Sequence, residues 1–186
     1  MVQRYFRIDE WNYLKEKQRG KNREMNSFDE LTEVVRHLRA EDGCPWDREQ
    51  THVSLKAACI EEAAEVLCGI NIYDKTGDSE NLKEELGDLL LQVVMHAQIA
   101  EEEGAFTMDD VICGIRDKMI RRHPHVFGDE KVSGSQEVLM NWEQIKAKEK
   151  EGRKDTGEYL PQAFEEAKEL IERAKKRKGY GDKLNK

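Results

Sequence analysis

The chain has 186 residues, of which 38% are charged and 38% hydrophobic, with only 3 Pro. It is long enough for one domain with a sizeable core and poor in helix breakers, so a mostly helical globular protein is expected. The formal net charge of -8 argues against a nucleic-acid polymer as partner, because phosphate backbones are bound through clustered positive charge. No apolar run approaches the ~20 residues of a membrane span, and residues 1–21 are too charged for a signal peptide; the expectation is a cytoplasmic protein without a membrane partner.

The four cysteines, Cys44, Cys59, Cys68 and Cys113, fall singly in helical patterns with no Cys-x-x-Cys pair, which reads as reduced thiols. A zinc site combining them with His96, His123 or His125 has no ligand spacing to recommend it.

Residues 1–25 carry Phe6, Ile8, Trp11 and Leu14 among charges, followed by a basic polar tract, and are expected to form an arm. Ser27 with Glu30 fits a capping box, and Leu31, Val34, Val35 and Leu38 follow at amphipathic-helix spacing up to about Gly43. Pro45 biases Cys44 away from helix and leaves Trp46 on a connecting loop, where it either plugs a core or stacks on a base. From about Ser54 to Ile70 the positions Leu55, Cys59, Ala63, Val66 and Ile70 form one stripe. Projected at 100° per residue, Glu62 lies at the border of that stripe, Glu65 just outside it and Glu61 further round.

Residues 71–78 are expected to be a loop, with Ser79 capping a long helix to about Glu103. Two apolar arcs on this helix, Leu82, Leu86, Leu89, Val93, Ala97, Ala100 and Leu91, Met95, Ile99, leave a polar stripe of Glu85, Asp88, Gln92 and His96 between them. Gly87 in mid-helix costs about 1 kcal/mol relative to Ala, which predicts close approach of another helix or a ligand. Thr107 opens a further helix whose far end carries Lys118, Arg121, Arg122, His123, Pro124 and His125. Lys118 and Arg122, four apart, can meet a polyphosphate together, although basic residues also suit a helix C-terminus. Ser135 is expected to cap a helix holding Val138, Leu139, Trp142 and Ile145, with Lys146 one turn beyond Trp142; a charged linker follows, and Leu160-Pro161 starts a last amphipathic helix ending in basic residues 175–178.

Two antiparallel helices, one with Glu62 and Glu65 and the other with Glu85 and Asp88, can converge four carboxylates on one point. Clustered in this way they repel and resist ionisation unless a cation sits among them. All-oxygen ligation favours a hard cation, and magnesium in particular is completed by substrate phosphates. A metal-assisted attack on a phosphoanhydride is the chemistry this spacing supports, with Glu61 as a general base or outer ligand.

Glu61-Glu62-x-x-Glu65 followed by Glu85-x-x-Asp88 resembles the signature of the MazG nucleoside triphosphate pyrophosphohydrolases, within the all-α NTP pyrophosphatase group. The likeness extends to Gly43-Cys44-Pro45-Trp46-Asp47, to Glu85-Leu86-Gly87-Asp88-Leu89-Leu90, to the run from Arg121 to Gly128 and to Trp142-Glu143-Gln144-Ile145-Lys146. The resemblance covers residues 27–150 and implies an all-α fold with a four-helix core, oligomerising through helices as a homodimer or homotetramer. It implies cleavage of an NTP or dNTP between the α and β phosphates to the monophosphate and pyrophosphate, in the service of clearing surplus or aberrant nucleotides. It further implies Mg2+, with Mn2+ as a substitute, at Glu62, Glu65, Glu85 and Asp88, and substrate contacts at Lys118, Arg122, Trp142 and Lys146. A narrower dUTP/dCTP or phosphoribosyl-nucleotide pyrophosphatase, or a slow regulatory nucleotide-binding module, stands as the alternative.

The expected organisation is an arm at 1–25, a catalytic domain at 26–150, and a linker, helix and polar tail at 151–186. Three features depart from the family pattern: a single domain where many members carry two, Cys68 at a position that is often acidic, and an arm without a counterpart.

Overall fold

The structure, a computed structural model, describes residues 26–151 and 156–180. The expected arm at 1–25 and the polar tail beyond Tyr180 lie outside the described residues, as does the linker at 152–155. Among the described residues there are eight helices and no strand: α1 Ser27–Arg39, α2 Pro45–Arg48, α3 Lys56–Thr76, α4 Glu80–Glu102, α5 Met108–Arg122, α6 Pro124–Phe127, α7 Ser135–Lys150 and α8 Thr156–Arg177. The fold class is all-α, as expected. Contacts divide the chain into two units, residues 1–49 and 50–186.

In the first unit, Asn26 rather than the expected Ser27 is the N-cap of α1. Its Oδ1 accepts from Phe28 N at 2.9 Å and Asp29 N at 3.1 Å, satisfying donors that the first turn leaves open. The helix stops at Arg39, before the expected Gly43. A reversal follows in which Cys44 N donates to Leu38 O at 2.7 Å. A side chain on Gly43 would lie 2.3 Å from His37 O, so only glycine fits there. The supposed loop around Trp46 is the single turn α2, with Pro45 at its start, where proline's missing N–H costs nothing. Trp46 is 63% exposed, which removes the core-plug reading.

In the second unit α3, α4, α5 and α7 pack in succession, with α8 laid along α3. The buried core is Leu55 with Val94, Met95, Ala97, Ile99 and Ala100, all in the second half of α4 except Leu55. Helix α3 runs through the expected loop to Thr76 because Ile72 and Tyr73 continue its pattern, and Gly77 at φ 76 ends it in the left-handed conformation that glycine adopts without penalty. Asp78 Oδ1 then accepts from Glu80 N at 3.0 Å, so Asp78 does the work expected of Ser79. This three-residue turn makes α3 and α4 antiparallel neighbours. Gly69 sets their spacing: a Cβ there would come within 2.7 Å of Leu82 Cα. The close approach expected at Gly87 is thus made by Gly69, while Gly87 has no neighbour of that kind within 4 Å.

Thr107 caps α5 in a complete capping box with Asp110. Helix α7 starts after Gly134, with Ser135 as its first residue, and α8 begins at Thr156 with Pro161 inside it rather than at its start.

Candidate metal site and acidic cleft

The register of the α3–α4 hairpin decides which side chains meet. Gly69 faces Leu82; one turn further from the loop on both helices, Glu65 comes opposite Glu85, and another turn on, Glu62 comes opposite Asp88. Carboxylate oxygens of Glu62, Glu65 and Glu85 lie within 4.8 Å of one another, a grouping able to hold a metal ion. Asp88 is exposed on the next turn of α4, outside that group but near enough for its charge to act on Glu62. The ladder continues to Cys59, whose Sγ lies 3.2 Å from His96 Nε2.

Burial, and after it the charges of Asp88 and Glu85, push the Glu62 carboxyl above its ordinary range; Lys178 opposes the rise. Glu85 is buried, at 9% exposure, and accepts from Asn81 Nδ2 at 2.8 Å. Asn81 is one turn before Glu85 on α4 and holds that carboxylate in place, the kind of outer contact that orients a ligand. The donor set is all oxygen, and a cationic group already stands against it: the Lys178 ammonium pairs with Glu65. The oxygen donor set fits a hard divalent cation, which would take the place of the Lys178 ammonium on Glu65. Glu61 lies outside the three-carboxylate group and pairs with Arg177.

These two cations come from the end of α8, which closes a cleft of about 440 Å3 against α3 and α4. Glu61, Glu65, Glu85 and Asn81 line one side, Lys175, Lys178 and Tyr180 the other, and Ile60, Ile72 and Ile171 are among the apolar residues of its wall. Lys56 Nζ on α3 holds Glu166 of α8 at 2.9 Å, pinning the helix further along. None of these α8 residues was among the sequence candidates. The signal was present, since Ile171, Ala174, Lys175 and Lys178 share one face at the i, i+3, i+4, i+7 spacing, but a basic helix end has a ready explanation in the helix dipole.

The expected substrate residues stand elsewhere, on α5 and α7, and none of the four lines the cleft. Arg122 donates Nε and Nη2 to Glu149 Oε2 at 3.0 and 2.6 Å, and Arg121 Nε donates to Glu149 Oε1 at 2.6 Å. The two guanidinium groups hold the Glu149 carboxyl down to about 2. The Arg122 guanidinium also lies 5.1 Å from the centre of the Trp142 ring, within cation–π range, and His123 meets the same ring edge-on at 5.0 Å. Arg122 and Trp142 are therefore brought together, with Glu149 as a partner that the sequence reading did not single out. Lys146 reaches Glu143 Oε1 at 3.3 Å, and Lys118 is half-buried on α5.

The zinc alternative fares less well. His52 and His96 stack and share a hydrogen bond between their Nδ1 atoms at 2.7 Å, so only one nitrogen of His96 is left to face Cys59. Among the described residues, the grouping of ligand atoms able to hold a metal is the carboxylate one and includes no cysteine or histidine.

Residues 50–127, which carry the acidic hairpin and the basic end of α5, match the model of the MazG nucleotide pyrophosphohydrolase domain. This segment is similar to the MazG domain. The chain is 51% identical over 136 residues to the nucleoside triphosphate pyrophosphohydrolase/pyrophosphatase MazG of Thermotoga maritima, covering 72% of this chain and 50% of that protein. It is 48% identical over 127 residues to the nucleoside triphosphate pyrophosphohydrolase of Escherichia coli K12, covering 68% of this chain and 47% of that one. The protein YabN of Bacillus subtilis is 54% identical over 125 residues, which are 67% of this chain and 25% of YabN. The chain thus spans a quarter to a half of the length of these relatives. No helix among the described residues is long and apolar enough to cross a membrane.

Proposed function

We infer that this chain is a magnesium-dependent nucleoside triphosphate pyrophosphohydrolase, cleaving an NTP or dNTP between the α and β phosphates to the monophosphate and pyrophosphate. The observation that carries the reading is the convergence of Glu62, Glu65 and Glu85 oxygens within 4.8 Å on the hairpin of the segment similar to the MazG domain, with Asp88 one turn away. Glu62, Glu65, Glu85 and Asp88 would hold Mg2+, which when bound draws charge from the phosphate oxygens. Glu85, fixed by Asn81, supplies a ligand oxygen that does not swing; Asp88, at the exposed edge, is placed to complete the set as substrate arrives. Glu61, two-sided between the cleft and Arg177, is suited to hold a water or to take its proton, and the cleft walls limit the access of bulk water. The names of the Thermotoga and Escherichia relatives support the reaction.

On the α5–α7 side, Lys118, Arg122, Trp142 and Lys146 are proposed to contact the nucleotide, with the Glu149 clamp holding Arg122 in one orientation. We place the enzyme in the cytoplasm, where free thiols and nucleoside triphosphates coexist, and assign it to removing surplus or aberrant nucleotides. Exposed Leu67 and Ile70 on α3, and Leu86, Leu90 and Val93 on α4, leave an apolar surface on the hairpin. That surface supports a homodimer or homotetramer.

The deciding experiment is pyrophosphate release from a panel of NTPs and dNTPs with and without Mg2+. Release from at least one nucleotide, abolished by EDTA, is expected. No release from any member of the panel would refute the enzymatic reading.

A further inference from the structure

We propose that the C-terminal end of α8 is a wall of the nucleotide site, with Lys175 and Lys178 taking the charge of the triphosphate and Tyr180 covering the nucleoside. The proposal rests on the pyrophosphohydrolase reading and adds residues beyond the matched domain, which ends at position 127. A cleft that must hold both a divalent cation and a polyphosphate needs carboxylates on one side and cations on the other. That division is what the cleft shows: Glu61, Glu65 and Glu85 face Lys175 and Lys178 across about 440 Å3. The cations of α5 and α7 proposed above to contact the nucleotide do not line this cleft, so its basic side is supplied by α8.

The end of α8 is fixed in place by its own backbone. Gly179 adopts φ 75, Gly179 N donates to Lys176 O at 3.1 Å and Tyr180 N to Lys175 O at 2.8 Å. Such a pair of hydrogen bonds across a left-handed glycine closes a helix end and turns the next residue back. The next residue is Tyr180, and it lines the cleft beside Ile60, Ile72 and Ile171, giving a flat aromatic and an apolar wall suited to a base. Lys178 rests on Glu65, and Lys175 donates to Glu172 Oε1 at 2.6 Å. Both lysines are a little over one-third exposed, at 37% and 36%, so each can exchange its carboxylate for a phosphate oxygen by rotamer change alone.

The test is calorimetric binding of a non-hydrolysable α,β-methylene nucleoside triphosphate, and separately of inorganic triphosphate, in Mg2+ to the full chain and its variants. K175A and K178A should each weaken both ligands about tenfold, the scale of one charge-assisted hydrogen bond. K175R and K178R should restore most of the loss, which a merely structural role would not predict. Tyr180→Ala should weaken the nucleotide analogue and leave inorganic triphosphate unchanged. Unchanged affinity in both lysine variants, at wild-type helical content, would overturn the proposal. So would tighter binding, which would make α8 a plug displaced by substrate. A wild-type chain that binds the analogue but releases no pyrophosphate would sink the enzymatic reading and leave the α8 contacts to be read from the same variants. A wild-type chain that binds neither ligand would sink both.

Discussion

Glu62 is the residue at which fold and proposed function pull in opposite directions. Its carboxyl is raised by burial and by Asp88 and Glu85, so in the absence of metal its charge works against the folded state. Glutamine has the same shape without the charge. Glu62→Gln should therefore raise the melting temperature in EDTA, by about 2–4 °C for each kcal/mol of relieved repulsion in a domain of this size. With Mg2+ the order should reverse, because the wild type gains the stabilisation that ligand binding confers and the variant loses most of it. Thermal melts of the two proteins with and without Mg2+ check this; a variant stabilised by Mg2+ as strongly as the wild type would remove Glu62 from the ligand set.

At the scale of elements, two contacts decide whether the hairpin and the α5–α7 pair hold their geometry. Gly69 lets α3 approach α4 to backbone distance, with a built Cβ 2.7 Å from Leu82 Cα. Gly69→Ala must push the helices apart, so a loss of about 1–3 kcal/mol in urea unfolding is expected, together with weaker metal binding, since Glu65 and Glu85 lie one turn away. On the other side, the Glu149 carboxyl is held down to about 2 from an ordinary 4.5 by Arg122 and Arg121. A carboxyl lowered in the folded state contributes stability that is complete above its unfolded value and is lost as pH falls toward the lowered one. Acid titration followed by circular dichroism should show this contribution fading between about pH 4.5 and 2, and Glu149→Gln should move the acid transition upward. An unmoved transition would mean that the clamp adds nothing to stability.

His96, on the core side, follows the same sign at a higher pH. Burial, and then the neighbouring His52, lower His96, with Cys59 and, at 3.7 Å from His52, Glu103 as the other groups facing the pair. A histidine lowered in the folded state resists protonation, so stability is lost as pH falls below its ordinary value of 6.5. His96→Gln should flatten the stability profile between pH 7 and 5, measured by urea unfolding at each pH.

At the scale of the molecule, the buried apolar side chains of the second unit, among the described residues, are Leu55 and five in the second half of α4, while the same helix keeps Leu86 at 50%, Leu90 at 37% and Val93 at 41% exposure. The hairpin that carries the acidic site thus leaves one apolar face uncovered by its own chain. Leu90→Arg should convert an oligomer to a monomer in light scattering and lower activity through loss of hairpin support. A wild type that is already monomeric would refute the oligomer proposed on this surface.

The all-α class, the existence of α3 and α4, though not the extension of α3 past Ile70, and the placement of Glu62, Glu65 and Glu85 on facing sides were legible in the sequence, because helical period and the cost of acids at an apolar border are local properties. Local chemistry misled where caps compete: Asn26 and Asp78, each one residue before the expected Ser27 and Ser79, accept from first-turn N–H groups instead. Gly69 was passed over for Gly87 because both cost the same in a helix, and only the crossing of α3 and α4 tells which one is pressed. Lys175, Lys178 and Tyr180 lie about a hundred residues along the chain from the acids they face. Their meeting across the cleft depends on α8 docking along α3, a long-range packing event that no local pattern encodes.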